Sequence, residues 1–253
     1  MEDEKLQKYV SACGLMSRRA AEQAIKEGKF TVNGQIATLG DRVNPARDEI
    51  AYLGEPLKKE KKRKTYLLLN KPTGVVTTRN DEHGRRTVAD LARENGYDGY
   101  LYPVGRLDKD SEGLLLLTDD GDFANRISHP SGSLRKVYIV MLAGRIQDGQ
   151  LDKLRAMRSL WDERNQREER IRPVEVELME RSENASRVRF VLTEGKNRQI
   201  RRMCAATGLS VMQLRRVQLG PLRLGTLESG RCRALTKEEK TALEKHLNGG
   251  KDR

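Results

Sequence analysis

The stretch Pro103-Val-Gly-Arg-Leu-Asp-Lys-Asp-Ser-Glu-Gly-Leu-Leu-Leu-Leu-Thr118 decides how this chain is read. A compact polar loop, Gly105 to Ser111, runs into a strand-sized apolar segment, Leu114 to Leu117. Gly105 and Gly113 permit backbone shapes that other residues resist, and the apolar run anchors one side of the loop in a core. A carboxylate in such a loop is held rigidly. Aspartates are also ordinary turn residues, so Asp108 and Asp110 must be weighed with the rest of the chain.

Working outward, Tyr66 to Leu69, Gly113 to Thr118, Val137 to Leu142, Val174 to Leu178 and Val188 to Leu192 read as strands. Helices are expected near residues 87–95, 122–128, 150–158, 198–207 and 236–247. The last opens on the capping box Thr236-x-x-Glu239 and is expected to bury Ala242, Leu243 and Leu247. Such interleaving predicts an α+β domain with a mixed, mainly antiparallel sheet and flanking helices.

Upstream, the basic run Leu57-Lys-Lys-Glu-Lys-Lys-Arg-Lys64 leaves nothing to bury and reads as a solvated linker. The expected organisation is therefore a small module at 1–56, the linker at 57–64 and the main domain at 65–253. In the module, Leu6, Tyr9, Val10 and Cys13 follow helical spacing up to Gly14. A second helix is predicted from an N-cap at Ser17 to Gly28, with Ala20, Ala21, Ala24 and Ile25 inward. Phe30 and Val32 then lead into Asn33-Gly34, a strong hairpin-turn signal.

The chain holds 49 lysines and arginines against 37 acids, a net +12 that favours a polyanionic partner. Both parts are basic: 14 cations against 10 acids precede Thr65, and 35 against 27 follow from it. No apolar stretch approaches the ~20 residues of a spanning helix, and Met1 to Val10 lacks the pattern of a secretory signal, so a cytoplasmic protein without membrane contact is expected. Cys13, Cys204 and Cys232 are widely spaced, and no metal-ligand spacing is present. Neither disulfides nor a bound metal is expected.

Two resemblances follow. Gly14-Leu-Met-Ser-Arg-Arg-Ala20, with Val32-Asn-Gly34, resembles the small α-L RNA-binding module first known from a ribosomal protein. That likeness turns Arg18 and Arg19 from a solvated helix face into expected phosphate contacts. The order Gly105-Arg-Leu-Asp108, Ser111-x-Gly113 and Leu114 to Thr118 resembles the signature of the pseudouridine synthases, in the branch that modifies single sites of ribosomal RNA and carries the α-L module in front. Asn70-Lys-Pro-x-Gly74, His129-Pro130, Lys136-x-Tyr138 and Glu194-Gly-Lys-Asn-Arg-Gln-Ile-Arg-Arg-Met203 agree with it.

On a helix of 100° per residue, Ile200, Met203 and Cys204 share one face, Arg202 points away and Arg201 lies on the flank. From there Arg201 can lean toward a buried carboxylate, whereas Arg198 and Arg202 suit solvent or phosphate. The resemblance implies that Asp108 is the catalytic nucleophile or base and that Arg201 pairs with it, an arrangement that lowers a carboxylate pKa by about 1 to 3 units. It implies that Tyr138 lies over the target base and that Arg106 fills the gap left by an extruded nucleotide. Lys196, Arg198 and Arg202 join Arg18 and Arg19 as expected RNA contacts. Lys71-Pro72 reads as a turn beneath the cleft.

The implied reaction, isomerisation of a uridine in ribosomal RNA with large-subunit rRNA preferred, gains and loses no atoms and calls for no cofactor. The substrate is expected as free rRNA or within an assembling ribosomal subunit, and nothing demands more than a monomer. Trp161 to Arg170 departs from the pattern: it is densely charged where a shorter, glycine-bearing connection is expected, and reads as a solvated loop or helix edge that can also touch RNA. A non-catalytic rRNA-binding assembly factor is the alternative. A methyltransferase ranks last, for want of a glycine-rich strand-to-helix loop.

Overall fold

The structure, a computed structural model, describes residues 3–58, 63–79, 81–128, 134–163 and 165–249. Part of the basic linker and the His129-Pro130 pair lie outside the described residues.

The first part comprises β1 (Glu4–Lys5), α1 (Leu6–Ala12), α2 (Arg18–Lys26), β2 (Phe30–Val32), β3 (Gln35–Ile36), β4 (Arg42–Val43), β5 (Ile50–Tyr52) and β6 (Glu55–Pro56). Ser17 caps α2 by accepting from the Ala20 amide at 3.1 Å, and Gly28 ends it with φ +68°. Asn33 and Gly34 both take positive φ, +52° and +79°. That is the backbone a two-residue hairpin between β2 and β3 requires. Leu6, Tyr9, Val10, Ala21, Ala24, Ile25, Phe30, Val43 and Ile50 form a core of their own. Ala20, expected inside, is exposed; it lies in the first turn of α2, and one methyl carries too little apolar area to draw that turn inward.

The second part contains β7 (Tyr66–Lys71), α3 (Val88–Glu94), β8 (Tyr102–Val104), β9 (Glu112–Thr118), α4 (Gly121–Ser128), β10 (Lys136–Ala143), α5 (Asp148–Ala156), β11 (Ser159–Asp162), β12 (Arg167–Arg170), β13 (Glu175–Arg181), β14 (Ala185–Leu192), α6 (Gln199–Ala206), β15 (Val211–Leu219), β16 (Leu222–Arg223), β17 (Cys232–Ala234) and α7 (Lys237–Gly249). A nine-stranded sheet runs β13-β14-β10-β15-β9-β7-β17, with β16 on β15 and β8 on β9. The expected α+β class with a mainly antiparallel sheet is what the chain adopts.

The leucine runs have a physical cause. Leu67, Leu69, Leu115 and Leu117 enter one core with α3, α5 and α6. Leu68, Leu114 and Leu116 enter a second with Phe123 of α4 and Leu243 of α7. Strands β7 and β9 are thus buried on both faces and have no polar side to alternate with. Strand β9 meets β15 in parallel, Glu112 opposite Arg215 and Gly113 opposite Arg216, the one parallel strand pairing of this sheet among the described residues. The backbones are so close there that a Cβ on Gly113 would lie 2.3 Å from the Arg216 carbonyl oxygen.

Three further expectations are corrected. Strand β15 was not anticipated, because Gln213, Arg215, Arg216 and Gln218 hide its period. Helix α5 starts two residues early, at a capping box between Gln147 and Gln150. Ser159–Asp162 and Arg167–Arg170 form a β-hairpin, β11 paired antiparallel to β12, where a loop or helix edge was expected. At α7 the predicted box is present, with Thr236 and Glu239 exchanging hydrogen bonds at 3.1 and 3.0 Å. Leu243 is fully buried; Ala242 is exposed, its single methyl carrying little apolar area to bury.

Candidate active site

The 105–111 loop leaves β8 through Gly105 at φ +74° and is tied to the segment after β7 at several points. Leu107 is buried in the main core, and its carbonyl accepts from the Thr77 hydroxyl at 2.5 Å. Gly74 N–H donates to the Lys109 carbonyl at 2.8 Å, and Ser111 N–H closes the turn on the Asp108 carbonyl at 3.0 Å. Beneath the loop, Lys71 is fully buried, and its Nζ donates to the carbonyls of Ser111 at 2.7 Å and Pro72 at 2.9 Å. Burial pushes the Lys71 ammonium down to about 8, against the pull of Asp108, Asp110 and Glu112. Lys71 therefore does more than shape a turn. It is the pin under the loop that carries Asp108.

Across from the loop stands the start of α6. Lys196 N–H donates to Gln199 Oε1 at 3.1 Å and Gln199 Nε2 to Glu194 Oε1 at 2.9 Å, which staples residues 194–199. Arg198 takes the left-handed region, φ +46°, a conformation that costs a non-glycine residue about 1–3 kcal/mol and gathers at functional sites. It donates twice to the Asp110 carboxylate, at 3.0 and 2.8 Å, and lies 3.8 Å from Asp108 Oδ2. Arg201 places Nε 3.3 Å from Asp110 Oδ2 and donates to the Asp110 carbonyl at 2.7 Å.

This corrects the expected pairing. Arg201 holds Asp110, and the guanidinium nearest Asp108 is that of Arg198. The cause is the turn itself: closing Ser111 onto the Asp108 carbonyl directs both the carboxylate and the carbonyl of Asp110 toward α6. The Arg198 hydrogen bonds, then the Arg201 charge, hold the Asp110 carboxyl below its usual range in spite of partial burial.

Tyr138, in β10, is 9% exposed and stands between Phe190 of β14 and Arg216 of β15. With Asp108, Arg106, Lys196, Arg198 and Arg201 it lines a cleft of about 300 Å³ whose apolar walls include Leu192, Ile200 and Leu214. That is small-molecule size. A larger groove of about 840 Å³ adjoins it, sharing Arg106, Asp108 and Arg198 and continuing past Thr77, His83 and Arg85. Asp108, with 36% of its side chain exposed, thus stands on the wall common to both.

Six of the nine residues singled out from the sequence meet at this cleft. Arg202 does not: it bonds Glu169 at 3.0 Å and the Trp161 carbonyl at 3.1 Å. Both Arg198 and Arg202 are thus committed to carboxylates. Arg18 and Arg19 are exposed on α2, away from Asp108, and Arg18 lines a separate concavity between the two parts of the chain with Tyr100 and Tyr102. Sequence reasoning missed Asp110 as an anchor, Thr77, and the buried Arg216, whose Nε donates to the Leu114 carbonyl at 2.7 Å. Asp110 reads from the sequence as a turn residue beside Asp108, with nothing in its spacing to show its arginine partners; Thr77 gives no signal in the sequence.

Residues 65–206 match the family described as RNA pseudouridylate synthase, and residues 4–50 match the S4 domain. The chain is 38% identical over 254 residues to ribosomal large subunit pseudouridine synthase B of Bacillus subtilis, covering 98% of this chain and 99% of that one. It is 35% identical to the Pseudomonas aeruginosa protein of the same name, over 96% of this chain and 62% of that longer protein. A crystal structure of a pseudouridylate synthase superposes with a TM-score of 0.65 at 30% identity, covering 94% of this chain and 99% of that one.

Proposed function

This chain belongs to the RNA pseudouridylate synthase family, and from that premise we propose that it isomerises a specific uridine of large-subunit ribosomal RNA, with Asp108 as the reacting carboxylate. The observation that carries the proposal is the convergence of Asp108, Tyr138 and the Arg198 and Arg201 guanidiniums on one cleft, brought from the 105–111 loop, β10 and the start of α6.

In this reading the uridine leaves its stack and enters the cleft, a step of a few kcal/mol, while Arg106 at the mouth takes its place. The bond between ribose C1′ and uracil N1 breaks, the base turns, and C5 bonds to C1′. The C5 hydrogen departs as a proton and N1 takes one up, so atoms and charge balance. Asp108 serves as nucleophile or base. The cationic wall keeps its loop in place and offsets charge that develops as the base detaches. Leu192, Ile200 and Leu214 keep the site apolar around the detached uracil, and in this reading the Tyr138 ring stacks on it while the hydroxyl assists removal of the C5 proton.

The module at 1–56, joined through the linker at 57–64 to the catalytic domain at 65–253, supplies phosphate contacts from Arg18 and Arg19. Lys196 and Arg198 supply more beside the cleft, whereas Arg202 is committed to Glu169. The separate core of the first part supports that division. No helix among the described residues is long and apolar enough to cross a membrane. We take the working form to be a cytoplasmic monomer acting on rRNA or on an assembling subunit. The test is to map pseudouridine in large-subunit rRNA from cells with and without the gene, by mass spectrometry after derivatisation. One site lost and then restored by the wild-type gene is expected. An unchanged map, with rRNA binding intact, would favour the assembly-factor alternative.

A further inference from the structure

The β11–β12 hairpin is a charged segment that the chemistry above leaves unused. In β11 Leu160 is buried and its neighbour Trp161, the single tryptophan of the chain, is 55% exposed. Register sets Trp161 opposite Glu168 and Ser159 opposite Arg170, so Trp161 and Arg170 share the outward face. Glu169, on the inward face, is held by Lys196 at 3.0 Å and Arg202 at 3.0 Å, and those cations keep its carboxyl below its usual range. Arg202 also donates to the Trp161 carbonyl. The hairpin is therefore clamped to the start of α6, and Lys196, one arm of the clamp, is itself a wall of the Asp108 cleft.

A half-exposed indole has an apolar cost in water, and here it is presented on a rigid two-stranded support rather than folded against the core. Arg170, on the same face, is exposed and has no carboxylate partner among the described residues. Residues 158–172 carry five arginines against four acids, and one of those acids, Glu169, is already neutralised by α6. A flat aromatic face beside a free guanidinium, one ion pair from a cleft of nucleoside size, matches the chemistry of an unpaired RNA base and its phosphate. Aromatic rings stack bases of any identity, while arginines follow the backbone.

We propose that the β11–β12 hairpin is an RNA-contacting arm, on which Trp161 stacks an unpaired base of the substrate while Arg170, on the same face, meets a flanking phosphate. This rests on the chain being an RNA-modifying enzyme and adds where the RNA strand runs beyond the cleft. Because the chain has one tryptophan, its emission reports this site alone.

The experiment titrates the full-length protein with a short oligouridylate, with a paired RNA duplex of equal length and with unmodified large-subunit rRNA transcript, reading tryptophan emission and its quenching by acrylamide. Single-stranded RNA and the transcript should quench the emission and shield Trp161 from acrylamide, and the duplex should not. Trp161→Ala should bind the single strand about 5- to 100-fold more weakly, the range expected for losing one stacked base, and Trp161→Phe should recover most of that loss. Unchanged emission with RNA that the protein demonstrably binds, or equal quenching by the duplex, would overturn the proposal. If the wild-type protein converts uridine in the transcript while Trp161 stays silent, the arm alone is wrong. If it neither binds nor converts any RNA, the reading beneath it falls as well.

Discussion

Replacing Gly113 by alanine should separate the two strands that hold the Asp108 loop in place. The added Cβ would lie 2.3 Å from the Arg216 carbonyl oxygen and 2.8 Å from its nitrogen. Ordinary contact needs about 3.5 Å, so β9 and β15 must part by about 1 Å. That motion breaks the parallel pairing of Glu112 with Arg215 and of Gly113 with Arg216, at about 1 kcal/mol for each hydrogen bond lost. Alanine at φ +101° adds about 1–3 kcal/mol of backbone strain. The sum, about 3–5 kcal/mol, is a large share of the ~5–15 kcal/mol that holds a domain together. At about 2–4 °C per kcal/mol for a chain of this size, the melting temperature should fall by about 6–20 °C. Gly105→Ala is the control: φ is +74° but nothing lies within 4 Å of the new Cβ, so only about 1–2 kcal/mol of left-handed strain applies. Thermal melts followed by circular dichroism compare the two. Equal shifts for both variants would refute the claim that close backbone approach, rather than turn conformation, demands glycine at 113.

Arg198→Ala removes the guanidinium nearest Asp108 and two bonds to Asp110. Turnover should fall about 10- to 100-fold, as loss of a charge-assisted contact worth about 1.5–3 kcal/mol implies, with little change in melting temperature; full activity would exclude Arg198 from the site. Arg201→Ala, which frees a partly buried clamp on Asp110, should lower both turnover and thermal stability, and a variant as stable as wild type would count against the clamp. Lys71 has its folded pKa lowered to about 8 from an unfolded value near 10.4. Between those pH values the unfolded chain binds the proton that the folded chain has released, so this group makes stability rise with pH through the window. Melting curves from pH 7 to 10 should therefore show a smaller rise, or a steeper fall, for Lys71→Met than for wild type, and parallel curves would refute the assignment.

How far the sequence carries depends on which force set each position. The doubly buried β7 and β9 were legible as leucine runs, the Asn33-Gly34 hairpin as turn chemistry and the α7 start as a capping box, because each rests on local or one-dimensional rules. Strand β15 was not legible: Arg216 faces inward and is 2% exposed, held by a carbonyl from β9, so polarity there reports a tertiary bond and not solvent. The same limit governs the site. Motif order collected Asp108, Tyr138 and the α6 arginines, but which carboxylate each arginine meets depends on a single turn, Asp108 to Ser111, whose direction spacing does not encode. Hairpin β11–β12 was hidden because its charges are spent partly on α6, through Glu169, which a count of charges along the chain cannot reveal.

The most direct test measures tritium release from rRNA transcript labelled at uridine C5, using wild-type protein and Asp108→Asn, with RNA affinity and melting temperature recorded alongside. The substitution keeps size and removes charge, so the variant should fold and bind RNA as wild type does while releasing no tritium above background. Release at near wild-type rate from the variant would contradict the assignment of the chemistry to Asp108.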